Sequence, residues 1–246
     1  MARRRSHVKV HRPVVWVVGA SRGIGAEIAR QFALIGCRVC LSARTTKVLD
    51  ALAREITLAG GHAFAVPCDI SVPRAVKSAA DRIRKKIGNI DVLVNNAGVT
   101  VFKSFLRTSI REFDQILRTN LQGQILCTKA VLPSMVRRKR GWIFNILSTA
   151  AVGTFEESTA YTATKAGMHG LSKVLREELR PFDVKVVNVL PGPTETAMWS
   201  AASRKRNAHR MMSATSVAEA VLALYQLPSD VVPEEVVLKP IKGDIS

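Results

Sequence analysis

VVWVVGASRGIG, from Val14 to Gly25, is the stretch that decides the fold. Its five leading apolar residues predict a strand buried on both faces. The three glycines that follow, Gly19, Gly23 and Gly25, suit a tight turn, a close approach of backbone to a pyrophosphate and close packing of a helix on the strand. N–H groups at the start of that helix would face the phosphates. The stretch therefore predicts a dinucleotide-binding loop that also includes Ser21, Arg22 and Ile24. A glycine-rich turn that only packs is the alternative, and the position directly after the first strand argues against it.

Apolar runs alternate with amphipathic segments along the rest of the chain. Strand-like runs occur at 14–18, 38–42, 63–66, 91–94, 142–147, 184–190 and 235–241. Helical segments occur at 26–35, 48–59, 72–87, 113–138, 159–180 and 216–227. This alternation predicts an α/β fold with one doubly wound parallel sheet of about seven strands and helices on both faces. We expect one domain over 13–246, after a basic tail at 1–12. The irregular stretch at 193–213 is too long for an ordinary connection and is predicted to be the substrate loop.

Composition narrows the class of protein. The 246 residues carry 37 Lys+Arg against 19 Asp+Glu, a formal net charge of +18, while 47% of residues are hydrophobic, which excludes a disordered chain. The positive excess favours anionic partners. Aromatic residues make up only 5%, so specific nucleic-acid binding is not expected. Four separated cysteines predict reduced core residues of a cytoplasmic protein with no metal site. No apolar run is long enough to cross a membrane, so we expect no membrane insertion.

The end of the second strand bears on the type of dinucleotide. A carboxylate about twenty residues after the glycine loop usually binds the ribose 2′-hydroxyl of NAD. Here the sequence reads Ser42-Ala43-Arg44 and offers no carboxylate. The planar guanidinium of Arg44, together with Arg22, suits a 2′-phosphate. We therefore expect NADP(H) rather than NAD(H). The alternative is that Arg44 is a solvated loop charge.

A second cluster of residues predicts acid–base chemistry. Tyr161 and Lys165, in Tyr161-Thr162-Ala163-Thr164-Lys165, are four residues apart on a predicted helix and so share one face. A nearby cation favours the tyrosinate and should lower the pKa of the phenol, which makes it a usable general acid or base. Ser148 ends the fifth strand, where ligand sites of parallel sheets gather, and could hold a carbonyl oxygen.

In their order and spacing these motifs resemble the short-chain dehydrogenase/reductase family. They are GASRGIG, NNAG (95–98), Asn120 in TNLQG, Ser148, YTATK and PGPTET (191–196). The resemblance covers about 14–198. It implies a single Rossmann-type domain and hydride transfer between a nicotinamide and a carbonyl or secondary alcohol. It also implies a homodimer or homotetramer built on the helices at 113–138 and 159–180.

The resemblance implies a role for each matching residue. Tyr161 would exchange the proton, Lys165 would lower its pKa and bind the nicotinamide ribose, and Ser148 would orient the substrate oxygen. Asn120 would anchor a relay water, with a helix-packing amide as the alternative. Further cofactor-binding residues would be Asp69, Ile70, Asn96, Ala97, Gly98, Pro191, Gly192, Thr194 and Thr196.

Several features leave the substrate open. The last strand lacks the glycine-rich ending of many family members, which weakens a transfer of substrate from the acyl carrier protein reductases. Basic clusters at 137–140 and 204–210 could meet an acidic carrier protein or an anionic substrate, or could be solvated faces. An apolar pocket is predicted from Val101, Phe102, Val152, Phe155, Met198 and Trp199. Two alternatives remain: a non-catalytic NADP(H)-sensing protein, and a reductase specific for 3-oxoacyl thioesters of a carrier protein or CoA.

Overall fold

The computed structural model describes residues 12–243, so most of the predicted basic tail lies outside the described residues. Seven parallel strands form one sheet in the order β3-β2-β1-β4-β5-β6-β7. They span β1 (Val14–Val18), β2 (Arg38–Ser42), β3 (His62–Ala65), β4 (Val92–Asn95), β5 (Gly141–Ile146), β6 (Val184–Pro191) and β7 (Glu235–Leu238). The predicted α/β fold, a doubly wound parallel sheet, is confirmed.

Helices cover both faces of the sheet. They are α1 (Gly23–Leu34), α2 (Thr46–Leu58), α3 (Pro73–Lys86), α4 (Ile110–Leu117), α5 (Gly123–Arg138), α6 (Thr159–Leu179), α7 (Ala201–Asn207) and α8 (Ala214–Tyr225). Apolar residues of α1, α2 and α8 pack on one face, and those of α3, α5 and the end of α6 pack on the other. Because every residue of β1 is buried, this strand has no polar face, as its sequence predicts. No helix within 12–243 is long and apolar enough to span a membrane.

Several predicted elements differ from those in the structure. The helix predicted at 113–138 begins earlier, at Ile110, because Ser109 and Glu112 form a capping box. It is also interrupted by a π-helical turn at Arg118–Gln122, which separates α4 from α5. The last strand ends at Leu238 rather than at residue 241, since Pro240 has no N–H to continue the ladder. The predicted loop at 193–213 contains α7 and a β-bridge between Thr194 and Met212.

Strand order places the cleft. The chain connects outward from β1 in one direction and from β4 in the other, so the crossovers diverge at this pair. Loops that leave the carboxyl ends of β1 and β4 separate there and open a crevice, where ligands of such sheets bind.

Candidate active site

A cleft of about 1190 Å³ lies at the carboxyl edge of the sheet. All but two of the predicted site residues line it, although they come from seven separate chain segments. These lining residues are Gly19, Ser21, Arg22, Gly23, Ile24, Arg44, Asp69, Ile70, Asn96, Ala97, Gly98, Ser148, Tyr161, Lys165, Pro191, Gly192, Thr194 and Thr196. Gly25 and Asn120 are not part of the lining and support it from behind.

The glycine loop has the shape of a phosphate cradle. Gly19 has a φ of +84°, and a Cβ there would lie 2.6 Å from the Cα of Ala97. A Cβ on Gly25 would lie 2.3 Å from the carbonyl oxygen of Gly19, so this glycine lets α1 pack against the loop. Asn96 Nδ2 donates to the same carbonyl oxygen at 2.9 Å and fixes the loop to the end of β4. The two glycines therefore let the loop pack closely on the segment after β4 and on α1, and the packed loop lines the cleft at the start of α1, where backbone N–H groups suit a pyrophosphate.

Charge at this end of the cleft also fits an anion. Arg22 is the N-cap residue of α1, and neither a side-chain cap nor an acidic residue occupies the first turn. The positive end of the helix is therefore not neutralised by the protein within the described chain. Arg44 is exposed and lines the cleft beyond the end of β2. It makes neither an ion pair nor a side-chain hydrogen bond with any residue of 12–243.

The segment after β3 forms a neighbouring wall. Asp69 Oδ1 accepts hydrogen bonds from the backbone N and the hydroxyl of Ser71, at 2.9 and 2.7 Å. This turn places Ile70 at the edge of the cleft, where its side chain is buried against α5. Gly123 permits the contact, because a Cβ there would lie 2.7 Å from Ile70 Cγ1. The apolar side chain of Ile70 and the carboxylate of Asp69 thus line the cleft side by side.

Ser148, Tyr161 and Lys165 come together on the other side of the cleft. Ser148 follows β5 and caps a 3-10 turn, with its Oγ accepting from Ala150 N at 3.1 Å. Its hydroxyl also forms a hydrogen bond with that of Tyr161. Lys165 lies one turn after Tyr161 on α6, and its Nζ is 5.5 Å from the centre of the tyrosine ring. That ammonium donates to the carbonyl oxygen of Ile146 at 2.7 Å, so it is held in place.

The predicted lowering of the tyrosine pKa is not found. Burial raises the pKa of Tyr161 to about 12, opposed by the hydrogen bond with Ser148. Burial also lowers the pKa of Lys165 to about 7, because the ammonium loses solvation and no carboxylate compensates it. The expectation treated the lysine as a fixed cation on a helix face. Lys165 is only 3% exposed, and its lowered pKa means that the protonated fraction of its amine changes with pH near neutrality.

Asn120 lies within the π-helical turn and is fully buried. Its Oδ1 accepts from Val99 N at 2.8 Å, and its Nδ2 donates to Val99 O at 2.8 Å and to Thr164 Oγ1 at 3.3 Å. The amide thus joins the segment after β4 to α6, one residue before Lys165. This contact pattern matches the packing alternative for the side chain, and the amide does not line the cleft.

The segment after β6 closes the cleft from above. Gly192 N donates to Leu238 O at 2.8 Å, which ties the segment to β7, and Thr194 Oγ1 donates to Gly192 O at 3.0 Å. Thr196 then lies over the glycine loop, since a Cβ on Gly23 would come within 3.1 Å of its Cγ2. Four of the six predicted pocket residues line the same cleft: Phe102, Phe155, Met198 and Trp199. Val101 and Val152 do not.

Neither basic cluster faces the cleft as a clamp. α7 and the 3-10 turn after it carry the charged residues of this cluster, and none of them belongs to the cleft lining: Arg204, Lys205, Arg206, His209 and Arg210. In the cluster at 137–140, Arg138 and Arg140 pair with Asp91 at 2.7 and 3.2 Å. Asp91 precedes β4, so this cluster lies at the opposite edge of the sheet. The structure therefore places no residue of 204–210 in the cleft lining, while Arg138 and Arg140 stabilise the sheet through Asp91. An anionic partner for either cluster stays a prediction.

The sequence reading missed one wall of the cleft. Side chains on one face of α4 and at the start of the π-helical turn that follows it line this wall, at the helical spacing of i, i+3, i+4 and i+7. They are Arg111, Asp114, Gln115 and Arg118. The signal was the capping box at Ser109, which fixes the start and thereby the phase of this helix.

Fold and site together define a nucleotide-binding oxidoreductase of the doubly wound class. The family model described as "short chain dehydrogenase" matches residues 13–207. A sepiapterin reductase of Chlorobaculum tepidum is 34% identical over 239 residues, covering 94% of this chain and 98% of that protein. A 3-oxoacyl-[acyl-carrier-protein] reductase of Synechocystis is 38% identical over 186 residues, 75% of each chain. The crystal structure of a metagenomic short-chain oxidoreductase in complex with NADP has a TM-score of 0.82 and 36% identity, covering 93% of this chain and 96% of that one. The chain belongs to the short-chain dehydrogenase family.

Proposed function

We propose that this protein is an NADP(H)-dependent oxidoreductase that transfers a hydride between the nicotinamide and a carbonyl or secondary alcohol, with Tyr161 as general acid and base. The observation that carries this proposal is the convergence of Ser148, Tyr161 and Lys165 on the cleft that also holds the glycine cradle. Arg22 and Arg44, without a carboxylate at the end of β2, support a 2′-phosphate on the dinucleotide. A solved relative is a complex with NADP, which supports the same assignment.

Ser148, Tyr161 and Lys165 each have a separate role in the reduction of the carbonyl group. NADPH, when bound in the cleft, would supply the hydride that reduces the carbonyl carbon. The Ser148 hydroxyl donates a hydrogen bond to the carbonyl oxygen and stabilises the charge that develops there. Tyr161, with its pKa raised to about 12, stays protonated at neutral pH and donates its proton to that oxygen. Lys165 stabilises the resulting tyrosinate whenever it is protonated, and its pKa of about 7 makes this possible without a permanent buried charge.

The test is consumption of NADPH with a panel of aldehydes and ketones. We expect turnover by the wild-type protein, and a loss of about a hundredfold or more in kcat for Tyr161→Phe, since one positioned proton donor contributes about that factor. Dissociation constants for NADPH should match between the two proteins. If both bind NADPH and neither turns over any carbonyl, the protein is the cofactor-sensing alternative. If Tyr161→Phe retains full kcat, the assigned proton donor is wrong.

We further infer a single catalytic domain over 13–246, with the substrate loop at 193–213, that assembles into a homodimer or homotetramer in the cytoplasm. The homo-oligomer is proposed from the family to which the chain belongs. The four cysteines are buried and free, as expected in a reducing compartment.

The substrate is a small carbonyl compound. A 3-oxoacyl thioester on an acidic carrier protein is the second candidate, favoured by the 38% identical carrier-protein reductase.

A further inference from the structure

Two aromatic rings from distant chain segments form a wall of the cleft. Phe102 follows β4 and Trp199 belongs to the loop after β6, and their rings stack with centroids 5.3 Å apart and planes inclined by 19°. Both line the cleft, yet Phe102 is 44% exposed, so the pair is not part of a closed core. Stacking covers one face of each ring, so the pair presents the free outer face of one ring and the edges of both.

Backbone hydrogen bonds hold the segments that carry this wall. Trp199 N donates to Thr196 O at 3.2 Å, which closes a turn directly before the indole. Lys103 N donates to Glu157 O at 2.8 Å and joins the Phe102 segment to the loop that precedes α6. Phe155 in that loop also lines the cleft. Three segments thus surround one space with aromatic side chains in set positions.

Charge is absent from this part of the cleft lining. Among the described residues, the lining contributed by 99–102, 148–158 and 191–199 consists of apolar or neutral polar side chains. The charged lining residues come instead from the glycine loop, the ends of β2 and β3, α4, and Lys165 at the catalytic centre. A carboxylate or phosphate held against the two rings would lose water without gaining an ion pair from the residues of this part of the lining.

We propose that Phe102 and Trp199 form the specificity wall of the substrate site, and that the carbonyl compound reduced there carries a flat, uncharged aryl group next to the reacting carbon. This inference rests on the proposed reductase function. A planar ring can stack on the free outer face of this pair and contact the edge of the second ring, whereas a short alkyl group covers little of either. The wall therefore selects by shape and area, while Ser148 and Tyr161 act on the carbonyl oxygen of any substrate.

A matched pair of β-keto esters tests the proposal. Ethyl benzoylacetate and ethyl acetoacetate differ only in phenyl against methyl on the reacting carbon. Within one protein, the ratio of their kcat/KM values measures the preference, and comparing that ratio between variants cancels the intrinsic reactivity of each ketone. We expect Trp199→Leu to lower the phenyl-to-methyl ratio about tenfold, mainly through KM for the phenyl ester, since a lost aromatic stack weakens binding to that extent. Trp199→Phe should retain most of the ratio.

Controls separate specificity from structure. Leu106→Ala alters an apolar side chain that is 95% exposed near the same rim but outside the cleft lining, and it should leave the ratio unchanged. Phe102→Leu should also lower the ratio, and combining it with Trp199→Leu should cost less than the product of the two effects, because the two rings are in contact and each supports the position of the other. Melting temperature and NADPH affinity should stay at wild-type values.

The possible results distinguish a failure of the specificity wall from a failure of the proposed reductase function. Equal losses on both esters in Trp199→Leu would make the indole a structural part of the loop and would overturn the specificity wall alone. An unchanged ratio would do the same. If the wild-type protein binds NADPH but turns over neither ester nor any other carbonyl, the reductase function itself is wrong, and the specificity wall with it.

Discussion

At the residue scale, Arg44 is expected to determine the preference for NADP(H) over NAD(H). Its guanidinium is exposed at the cleft and is not engaged by the described part of the protein, so a 2′-phosphate can take both of its forked donors. We expect Arg44→Ala to weaken NADPH binding roughly tenfold to a hundredfold, the worth of a hydrogen bond to a charged group. NADH, which lacks the phosphate, should bind unchanged. Lys47→Ala removes a neighbouring exposed charge outside the cleft lining and serves as the control. Fluorescence titration with both dinucleotides measures this, and equal weakening of the two would contradict the assignment.

Lys165 should make stability depend on pH near neutrality. Its folded pKa of about 7 lies below the usual value of 10.5, so between these values the unfolded chain binds a proton that the folded chain does not. Burial of the ammonium is therefore destabilising in full below pH 7, and this penalty decreases as pH rises above 7. We expect Lys165→Met to raise the free energy of unfolding most at pH 6.5 and less at pH 8.5, as measured in urea. Lys173→Met, at an exposed position of α6, should show no such trend. A difference between wild type and Lys165→Met that does not vary with pH would contradict the lowered pKa.

At the scale of elements, a row of buried amides joins three strands. Asn95 on β4, Asn145 on β5 and Asn188 on β6 lie directly opposite one another, and all are fully buried. Asn95 Nδ2 donates to Asn145 Oδ1 at 2.9 Å, and Asn145 Nδ2 donates to Asn188 Oδ1 at 3.3 Å and to Ser172 Oγ at 3.0 Å. The row fixes the register of the strands whose ends carry the cleft residues.

The central amide of this row should be the costliest to remove. We expect Asn145→Leu to lower the free energy of unfolding by about 2 kcal/mol, because Asn188 Oδ1 loses its donor in the core. Thr128→Val should cost less, since Asn95 Nδ2, which bonds to both, keeps its bond to Asn145. Urea unfolding of the two variants gives the comparison. A larger loss for Thr128→Val would show that the row does not stabilise the sheet.

Local pattern was enough to predict most elements and the cradle. The five apolar residues of β1 and the glycines after it determine their own structure, because the turn and the close packing need residues without a Cβ. The π-helical turn inside the predicted long helix could not be predicted in this way. It accompanies bonds of Asn120 to Val99 and Thr164, which lie 21 and 44 residues away in the chain.

The sequence was enough to predict which residues form the site, but not the pKa values of its titratable groups. Tyr161 and Lys165 are neighbours because of helical spacing, which the sequence shows. Their pKa values depend on burial, which only the folded structure shows. The stack of Phe102 on Trp199 is another long-range contact, since the sequence predicts an apolar pocket but not which two rings meet.

At the scale of the whole molecule, the charge of +18 is only partly compensated. Two acidic residues each bind two arginines. Asp91 pairs with Arg138 and Arg140, and Glu234 pairs with Arg176 and Arg180. Other cations extend from the surface, such as Arg82, Lys85 and Lys86 on α3, which are exposed. Such an excess of one sign destabilises the compact state through self-repulsion.

Salt should therefore stabilise the protein. The rise in melting temperature with salt should be larger for variants that carry a larger net positive charge. Screening shortens the Debye length from about 30 Å at 0.01 M salt to about 8 Å at 0.15 M, which weakens repulsion between the exposed cations. We expect the melting temperature to rise over this range of sodium chloride. Replacing Arg82, Lys85 and Lys86 by Gln lowers the formal net charge by three, from +18 to +15, and should reduce the rise. Exchanging Lys for Arg and Arg for Lys at the same positions keeps the charge and should keep the slope. Because all three proteins share one cleft, binding of chloride there cancels in the comparison, and equal slopes in all three would rule out repulsion among these charges as the cause.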